Sequence, residues 1–248
     1  MQVDKSGTAK KLLAALVGVV LLMFVFFSNF ALVVFDNSHY QEQFETLNRV
    51  EATGMEEEEL MRVTEEILDY LMLQRDDVNL EAEIQGEQVQ LFTEREIIHM
   101  EDVRELFKSG YILLTTVIII LMALLYLGAS YLNFRFQNFN RLTGLLYLLR
   151  WGALVSLGIT VLIGGIFFAG FNFWYTQLHV WFFDNVYWIL DPEIHNLINI
   201  YPVEFFYNTL VRISLRTLGH LALVFVITLT FSKVSLPGSK KGKHKAGA

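Results

Sequence analysis

Residues 111–134 have the sequence YILLTTVIIILMALLYLGASYLNF, a continuous apolar run without a charged side chain. About 20 such residues suffice for an α-helix to cross the hydrocarbon core of a bilayer. Three further apolar runs, of which the last two contain arginines, occupy residues 12–35, 142–170 and 212–232. Across the chain, 54% of residues are hydrophobic and the mean hydropathy is +0.42, which is high for a soluble domain. The pattern predicts an all-α membrane bundle of four transmembrane helices.

The first apolar run begins like a secretory signal peptide, because Lys10 and Lys11 precede it. Its core is longer than the roughly 7–15 residues of a signal peptide, and no small-x-small cleavage site follows it. We therefore expect residues 12–35 to remain in the protein as a membrane anchor.

The orientation of the spans follows from the basic residues, because Lys and Arg concentrate on the cytoplasmic side of a membrane. Basic residues lie next to the spans in three regions, namely residues 1–11, 135–141 and 233–248. Four spans place these regions on one side, so we expect both termini in the cytoplasm. Apart from Asp4, every Asp and Glu lies in residues 36–110 or 171–211. These two segments should face outward from the cell membrane, and there we expect the functional site.

Two kinds of function are excluded or unsupported by composition. The chain has no cysteine, so it has neither a disulfide nor a thiol nucleophile nor a thiolate metal ligand. Its basic residues form tails at the chain ends and not a folded patch, so a nucleic-acid partner has no support.

The first outer segment, residues 36–110, carries signals of regular structure. Helical spacing of apolar residues within residues 55–75 predicts a helix with one buried face. An alternating run from Val78 to Ile84, then Gln85-Gly86 and a second short run, predicts a β-hairpin. Thr93 and Glu96 form a capping box, which should open a helix that continues into the second span. We therefore predict a small α+β extracytoplasmic cap.

The second outer segment, residues 171–211, is rich in aromatic residues and poor in charge. Trp and Tyr concentrate at the headgroup level of membranes, so this segment should lie in the interface. A plain aromatic belt would explain any single Trp. The length of the block favours a continuous apolar shelf beside the cap, which suits a substrate with acyl chains.

Two histidines are the candidates for chemistry. His99 is followed three residues later by Asp102, on the same helix face, where a carboxylate can orient an imidazole and stabilise its protonated form. His179 lies within the aromatic segment, so one outer site could contain both. Ordinary surface histidines would explain the same observations. These residues could also bind a metal, but no His-Glu-x-x-His or closely spaced ligand cluster is present, so we predict no metal site.

Span four carries Arg212, Arg216 and His220 at intervals of four residues. Ionisable groups in a span are costly, and they are usually paired or functional. Arg212 could reach the headgroups, whereas Arg216 lies deeper and should pair with an acid of the second outer segment. The candidate acids are Asp184, Asp191 and Glu204. On span three, we expect close helix packing at the glycines, which are Gly152, Gly158, Gly164 and Gly165.

The chain resembles the lipoprotein intramolecular transacylase (Lit) family in two regions and in its four-span layout. The first region is His99-Met-Glu-Asp-Val before span two. The second contains His179-x-x-Phe182-Phe183-x-Asn185-x-x-Trp188-x-x-Asp191-Pro192, then Leu197-Ile198 and Pro202-x-Glu204-Phe205-Phe206. Many members have Asn-Asp before the x-Trp, whereas Val186 follows Asn185 here.

This resemblance implies transfer of the sn-2 acyl chain of a diacylglyceryl-modified lipoprotein to its own N-terminal amine, which leaves a lyso-lipoprotein. It implies that His99 and His179 are essential, and that the partners are such lipoproteins and membrane lipids. We expect substrate contacts from further residues of the outer segments and span four, namely Asn185, Trp188, Asp191, Tyr201 and Arg216.

The reaction needs little beyond positioning and proton transfer, because amine and ester belong to one molecule. It is downhill from ester to amide, so no cofactor is expected. We favour His99, oriented by Asp102, as general base and His179 as oxyanion stabiliser or proton donor, although the roles could be reversed. The alternatives are a non-enzymatic lipid-binding or sensor protein and a metal-dependent lipid hydrolase.

Overall fold

The computed structural model describes residues 5–234, and it consists almost entirely of helices. The elements follow one another as α1 (Lys5–Val34), α2 (Asn37–Thr46), α3 (Arg49–Thr53), α4 (Glu57–Leu71), β1 (Glu81–Ile84), β2 (Glu87–Gln90), α5 (Glu94–Arg135), α6 (Arg141–Ala169), α7 (Phe171–Phe182), α8 (Asn196–Ile200) and α9 (Val203–Val234). Within this range, α1, α5, α6 and α9 are long and apolar enough to cross a membrane. The predicted fold class, four spans with a small α+β segment, is confirmed, and the chain is a multi-pass membrane protein. The predicted basic tail lies mostly outside the described residues.

The chain divides into two compact units, of which one comprises residues 5–22, 119–158 and 219–234. In this unit, α1 and α6 approach closely at Gly18 and Gly152. A Cβ atom on Gly18 would lie 2.8 Å from the carbonyl oxygen of Gly152, so only glycine permits this contact. The hydroxyl of Ser156 donates to the carbonyl oxygen of Gly18 at 2.7 Å. Small residues and a hydroxyl are typical of helix contacts in membranes.

The prediction of close packing at the glycines of span three is confirmed for Gly152 alone. A Cβ on Gly158 or Gly165 would meet no described atom within 4 Å, and one on Gly164 would meet the ring of Phe168 on the same helix. Composition alone does not show which face of a helix its neighbour covers. Gly18, the partner of Gly152, was not singled out from the sequence.

The second unit comprises Met23–Ile118 and Ile159–Leu218, and its core is built around α4. The predicted helical spacing is confirmed, because the apolar residues of α4 lie on one buried face. Residues from α2, the hairpin and α8 pack against this face, among them Phe44, Ala82 and Ile200. This unit contains both candidate histidines.

The predicted hairpin is present as β1 and β2, which pair antiparallel with Glu81 opposite Gln90 and Ile84 opposite Glu87. The two residues between them, Gln85 (φ 55°) and Gly86 (φ 85°), both have positive φ. Two-residue turns of this kind match the twist of the strands, and they favour glycine.

The predicted capping box opens α5. The backbone NH and the hydroxyl of Thr93 both donate to Oε2 of Glu96 at 2.8 Å, and the NH of Glu96 donates to the Thr93 hydroxyl at 3.4 Å. From there α5 runs without a break to Arg135. Its first turns, which carry His99, and the apolar run of residues 111–134 therefore belong to one continuous helix.

The aromatic segment begins with α7, in which no residue is buried. Phe173 is 60% exposed and Trp181 61% exposed. An exposed surface this apolar is typical of a helix that contacts lipid. The place of the segment in the membrane interface stays a prediction.

Candidate functional site

A stripe on the first turns of α5 forms one wall of the site. Arg95, His99 and Asp102 follow one another at intervals of four and three residues, so they share one face of the helix. All three contact the region between α7 and α8: Arg95 and Asp102 through hydrogen bonds and His99 through ring contacts. The sequence motif around His99 is therefore a helix face turned toward the second outer segment.

The structure brings the two predicted histidines together. The ring centroids of His99 and His179 are 6.0 Å apart, and the ring planes differ by 35°. Phe183 meets the ring of His99 edge-on at 5.2 Å and lies 5.7 Å from His179. The pair is therefore enclosed by aromatic side chains, although His179 itself is only half-buried.

The tautomer of His179 follows from its hydrogen bond. Its Nδ1 lies 2.7 Å from the carbonyl oxygen of Tyr175, one turn earlier on α7. A carbonyl oxygen only accepts, so Nδ1 carries the proton and Nε2 of the neutral ring holds a lone pair. The rings of Tyr175 and Trp188 lie 4.5 Å and 5.0 Å from the imidazole. These contacts thus fix the orientation of the ring and leave Nε2 as its basic nitrogen.

The side chain of His99 is buried. Within residues 5–234, its Nδ1 is a buried atom without a partner. Burial is the main reason that the pKa of His99 falls to about 4; His179 acts in the same direction and Asp102 in the opposite one. Burial also lowers the pKa of His179, against the hydrogen bond to Tyr175. Both imidazoles are therefore neutral at neutral pH, and the unpaired nitrogen of His99 can bond a ligand.

Asp102 does not hydrogen-bond His99 in the described structure. Its Oδ2 accepts from Nδ2 of Asn185 at 2.7 Å. The carbonyl oxygen of Asn185 in turn accepts from Nε1 of Trp188 at 2.9 Å. Three predicted site residues thus form a chain that ends at the ring next to His179.

Two residues of α5 that sequence reasoning did not single out as site residues hold the second outer segment. Arg95 donates through Nε to the carbonyl oxygen of Ile189 at 3.0 Å and through Nη2 to that of Val186. The carboxylate of Glu96 is buried, and its Oε1 accepts the NH of Leu197 at 2.7 Å. The helical spacing from Arg95 to His99 was a visible signal, whereas the backbone partners of both residues were not.

Among the described residues, no hydrogen bond or ring contact joins three further predicted site residues to the ring of His99 or His179. Asp191 is exposed, and its Oδ1 accepts the NH of Glu193 at 2.9 Å. Tyr201 is in the hydrophobic core, where its hydroxyl lies 2.9 Å from Oγ1 of Thr64. Arg216 is exposed. The substrate contacts expected of these three side chains stay predictions.

The predicted pairing of Arg216 with an acid of the second outer segment is not found among the described residues. Its charge acts instead on Asp36, just past the end of α1, whose pKa is lowered mainly by the hydroxyl of Ser38 and also by Arg216 and Arg212. Arg212 itself does not simply reach for headgroups, because it donates to His39 and to Glu42.

His39 is a buried titratable group that sequence reasoning missed. Its Nδ1 accepts from Nη1 of Arg212 at 2.7 Å, and its Nε2 lies 2.9 Å from the hydroxyl of Thr209. Burial lowers its pKa to about 4, and the charge of Arg212 adds to the effect. A histidine in an otherwise polar stretch, Asn37–Thr46, gives no sequence signal of burial.

An open cavity of about 500 Å³ lies beside the start of α7, and neither candidate histidine lines it. It is bounded by residues such as Asn172, Glu204, Tyr207 and Asn208. In the part of the chain that the structure describes, no three His, Asp or Glu side chains group in a way that could hold a metal ion.

Taken together, the site offers two neutral imidazoles beside an exposed aromatic helix. Such a pair can accept and return a proton and can hydrogen-bond a developing oxyanion, on a substrate whose apolar part lies on α7.

Comparison with known proteins identifies relatives of the chain. The family model for lipoprotein intramolecular transacylase Lit matches residues 15–206. A solved structure of the membrane integral lipoprotein intramolecular transacylase Lit from Bacillus cereus superposes with a TM-score of 0.71 and 20% identity, covering 92% of this chain and 100% of that chain. A variant of that protein with a histidine changed to arginine has a TM-score of 0.70 and 20% identity, with 92% and 94% covered. These structural likenesses show the fold. No curated protein matches the chain.

Proposed function

The chain belongs to the lipoprotein intramolecular transacylase (Lit) family, and on this premise we propose the reaction and its residues. The substrate is a diacylglyceryl-cysteine lipoprotein with a free N-terminal amine. The sn-2 acyl chain moves from the glyceryl oxygen to that amine, and the product is an N-acylated lyso-lipoprotein.

The observation that carries this proposal is the pair of neutral imidazoles, His99 and His179, with ring centroids 6.0 Å apart. A protonated amine cannot attack an ester, so the site needs a group that is basic and neutral at working pH. Burial, which lowers the pKa of both histidines, supports this requirement. The exposed aromatic residues of α7, among them Phe173 and Trp181, suit the acyl chains of the substrate.

His179 is the better candidate for the general base. Its Nδ1 donates to the carbonyl oxygen of Tyr175, so Nε2 is free to take a proton from the attacking amine. His99 then stabilises the oxyanion as a neutral donor, a role that a low pKa favours because the ring stays uncharged. This reverses the roles favoured from the sequence, where Asp102 was expected to orient His99 as the base.

The step balances without a further reactant. The amine nitrogen forms a bond to the acyl carbon while Nε2 of His179 removes a proton from the nitrogen. The bond from the acyl carbon to the glyceryl oxygen then breaks, and the same proton passes from His179 to that oxygen. Because amine and ester are tethered in one molecule, correct placement contributes several kcal/mol, on the order of 7–11 in well-oriented cases.

We further infer that the site acts on the outer face of the cell membrane, with both termini in the cytoplasm. The basic residues that flank the spans, among them Lys10, Lys11, Arg135 and Arg141, support this orientation.

The test is acyl transfer in a reconstituted system. The purified protein is incubated with a synthetic diacylglyceryl lipopeptide that has a free N-terminus, and tandem mass spectrometry locates each acyl chain. We expect N-acylation of the cysteine with loss of the sn-2 ester. A substrate with an ether at sn-2 should not react, whereas one with an ether at sn-1 should react normally.

His99→Ala and His179→Ala should each lower the rate by about 100-fold or more, as expected for loss of an acid–base or oxyanion group. His220→Ala, at an exposed position of α9, is the matched control and should keep the wild-type rate. A free N-terminus after incubation with the wild-type protein would refute the transacylase proposal. Full activity in both site variants would refute the histidine mechanism alone.

A further inference from the structure

The segment that carries Trp188 lies between α7 and α8 and has no regular helix or strand. Hydrogen bonds to residues of α5 hold this segment at two backbone carbonyl oxygens and at one side chain. Arg95 donates to the carbonyl oxygens of Val186 and Ile189, and Asp102 accepts from Asn185 at 2.7 Å. We call residues 185–189 the tethered segment.

The guanidinium of Arg95 also lies over the ring of Tyr187, 5.7 Å from its centroid. Val186 is 59% exposed and Ile189 53% exposed, so little burial of apolar side chains holds this part of the chain in place. A short irregular segment with exposed side chains is mobile unless its backbone is bonded. Arg95 supplies two such bonds from one planar group, which loses less freedom than two separate donors would.

The tethered segment sets the position of Trp188. Nε1 of Trp188 donates to the carbonyl oxygen of Asn185 at 2.9 Å, and its ring centroid lies 5.0 Å from that of His179. Trp188 covers one side of the imidazole, while the carbonyl of Tyr175 fixes Nδ1. The orientation of Nε2 therefore depends on both contacts.

We propose that Arg95 is a positioning residue: together with Asp102 it fixes the tethered segment on α5, so that Trp188 holds the imidazole of His179 in its reactive orientation and shields it from water. This inference rests on the proposed function, because His179 acts as the base there. It adds a residue outside the histidine motifs, and it gives Asp102 a positioning role through Asn185.

Arg95→Ala tests the proposal in the lipopeptide assay. It should lower kcat by about 10- to 100-fold, because a misplacement of a reacting group by about 1 Å can cost up to about 100-fold, and it should change KM much less. Arg95→Lys keeps a cation that can reach one of the two carbonyl oxygens, so it should restore part of the lost kcat.

Arg104→Ala is a matched control on the same helix. Arg104 also donates to two backbone carbonyl oxygens, those of Arg75 and Asp76, and its guanidinium lies 4.4 Å from the centroid of the Tyr70 ring. Both variants lose two such bonds and a ring contact, and Arg104→Ala also loses an ion pair with Asp76 at 3.9 Å, so its thermal stability should fall at least as much as that of Arg95→Ala. Only Arg95→Ala should lose kcat.

A pH profile separates positioning from a loss of folded protein. Water that reaches His179 in Arg95→Ala should raise its pKa toward the ordinary value of 6.5. In a plot of log kcat/KM against pH, protonation of the substrate amine gives a slope of about one. At lower pH the base His179 is protonated as well, and the slope rises toward two. The steepening should begin at higher pH in Arg95→Ala than in the wild type. The ionisable side chains that contact His179, namely His99 and Tyr175, remain in this variant, as does Asp102 beside His99.

The outcomes distinguish the two proposals. No transfer by the wild-type protein would refute the proposed function. With an active wild type, equal kcat for Arg95→Ala and Arg104→Ala would refute the positioning role and leave the function standing. An unchanged onset of the steepening in Arg95→Ala would also refute it. If Arg95→Ala does not fold, Arg95→Lys carries the same two measurements.

Discussion

At the scale of the residue, the site combines groups that the protein keeps uncharged. His99 has a pKa of about 4, and the pKa of His179 lies below its ordinary value, in both cases mainly through burial. An imidazole without charge can be a base or a hydrogen-bond donor at neutral pH, and the hydrogen bonds of each ring decide between these roles. The unpaired Nδ1 of His99 and the fixed Nδ1–H of His179 therefore matter more than the residue types.

The role of Asp102 can be tested with an isosteric amide. Asp102→Asn keeps an oxygen that can accept from Asn185, whereas Asp102→Ala does not. If the hydrogen bond to Asn185 is what counts, Asp102→Asn should retain kcat within about 3-fold and Asp102→Ala should lose about 10-fold or more. Equal losses in both variants of the lipopeptide assay would instead assign the effect to the negative charge beside His99.

His39 gives a prediction for stability against pH. Its pKa is about 4 in the folded protein against an ordinary value of 6.5, so the unfolded chain binds a proton more readily. Above pH 6.5 His39 is neutral in both states and does not reduce the free energy of unfolding. As the pH falls from 6.5 toward about 4, proton uptake by the unfolded chain lowers this free energy. We expect the Tm in detergent to fall less steeply over this range for His39→Gln than for the wild type. Parallel curves would contradict this role of His39.

The sequence indicated the two histidines, and it indicated Asn185 and Trp188 through their motif. It did not indicate Arg95, because its partners are the carbonyl oxygens of Val186 and Ile189, and every residue has a carbonyl. The expected contact between His99 and Asp102 rested on helical spacing, which brings two side chains to one face. Spacing does not show that a residue of another element, here Asn185, is the hydrogen-bond partner of Asp102.

At the scale of the element, the hairpin shows how local chemistry fixes a turn. Gly86 has φ 85°, a conformation that costs a residue with a Cβ about 1 kcal/mol or more. Gly86→Ala should therefore lower the free energy of unfolding by about this amount in denaturant or thermal unfolding, even though its Cβ would meet no atom within 4 Å.

Gly110 is the control of opposite sign. It lies inside α5, and a Cβ there would also meet no described atom within 4 Å. Gly110→Ala should raise stability by about 0.5–1 kcal/mol, because alanine loses less backbone entropy in a helix. A loss of stability in both variants would show that steric crowding of the added methyl group, and not backbone conformation, determines the effect of the substitutions.

Elements with strong local signals were predictable, and irregular ones were not. The capping box at Thr93 and Glu96, the turn at Gln85 and Gly86, and the apolar face of α4 are each encoded within a few residues. The path of residues 183–195 is encoded by contacts to α5, about 80–100 residues earlier in the chain, so no local pattern reveals it. The site lies where these two kinds of structure meet.

At the scale of the whole molecule, hydropathy was enough to predict four spans, because backbone groups in lipid must be satisfied within each helix. Helix contacts were less predictable, since small residues occur both at contacts and on open faces. Gly18 and Gly152 form a contact, whereas Gly158, on the same helix as Gly152, faces open space.

This difference gives a test of the bundle. Gly18→Leu places side-chain atoms where a Cβ alone would already lie 2.8 Å from the carbonyl oxygen of Gly152, so it should lower the Tm in detergent by several degrees or prevent folding. Gly158→Leu, which adds the same side chain at an open position, should change the Tm little. Similar losses in both variants would contradict the close contact of α1 and α6.

The hydrogen bonds of the buried Glu96 carboxylate determine when the site can be completed during synthesis of the chain. Its Oε2 is bonded by Thr93 close by, but Oε1 needs the NH of Leu197, which lies 101 residues later in the chain. At about 5–20 residues per second, a ribosome reaches that residue roughly 5–20 s after Glu96. Until residues 179 and 197 have both been made, His99 lacks its partner His179 and Glu96 lacks its second hydrogen-bond partner. We therefore expect a chain that ends before residue 197 to lack acyl-transfer activity in the lipopeptide assay.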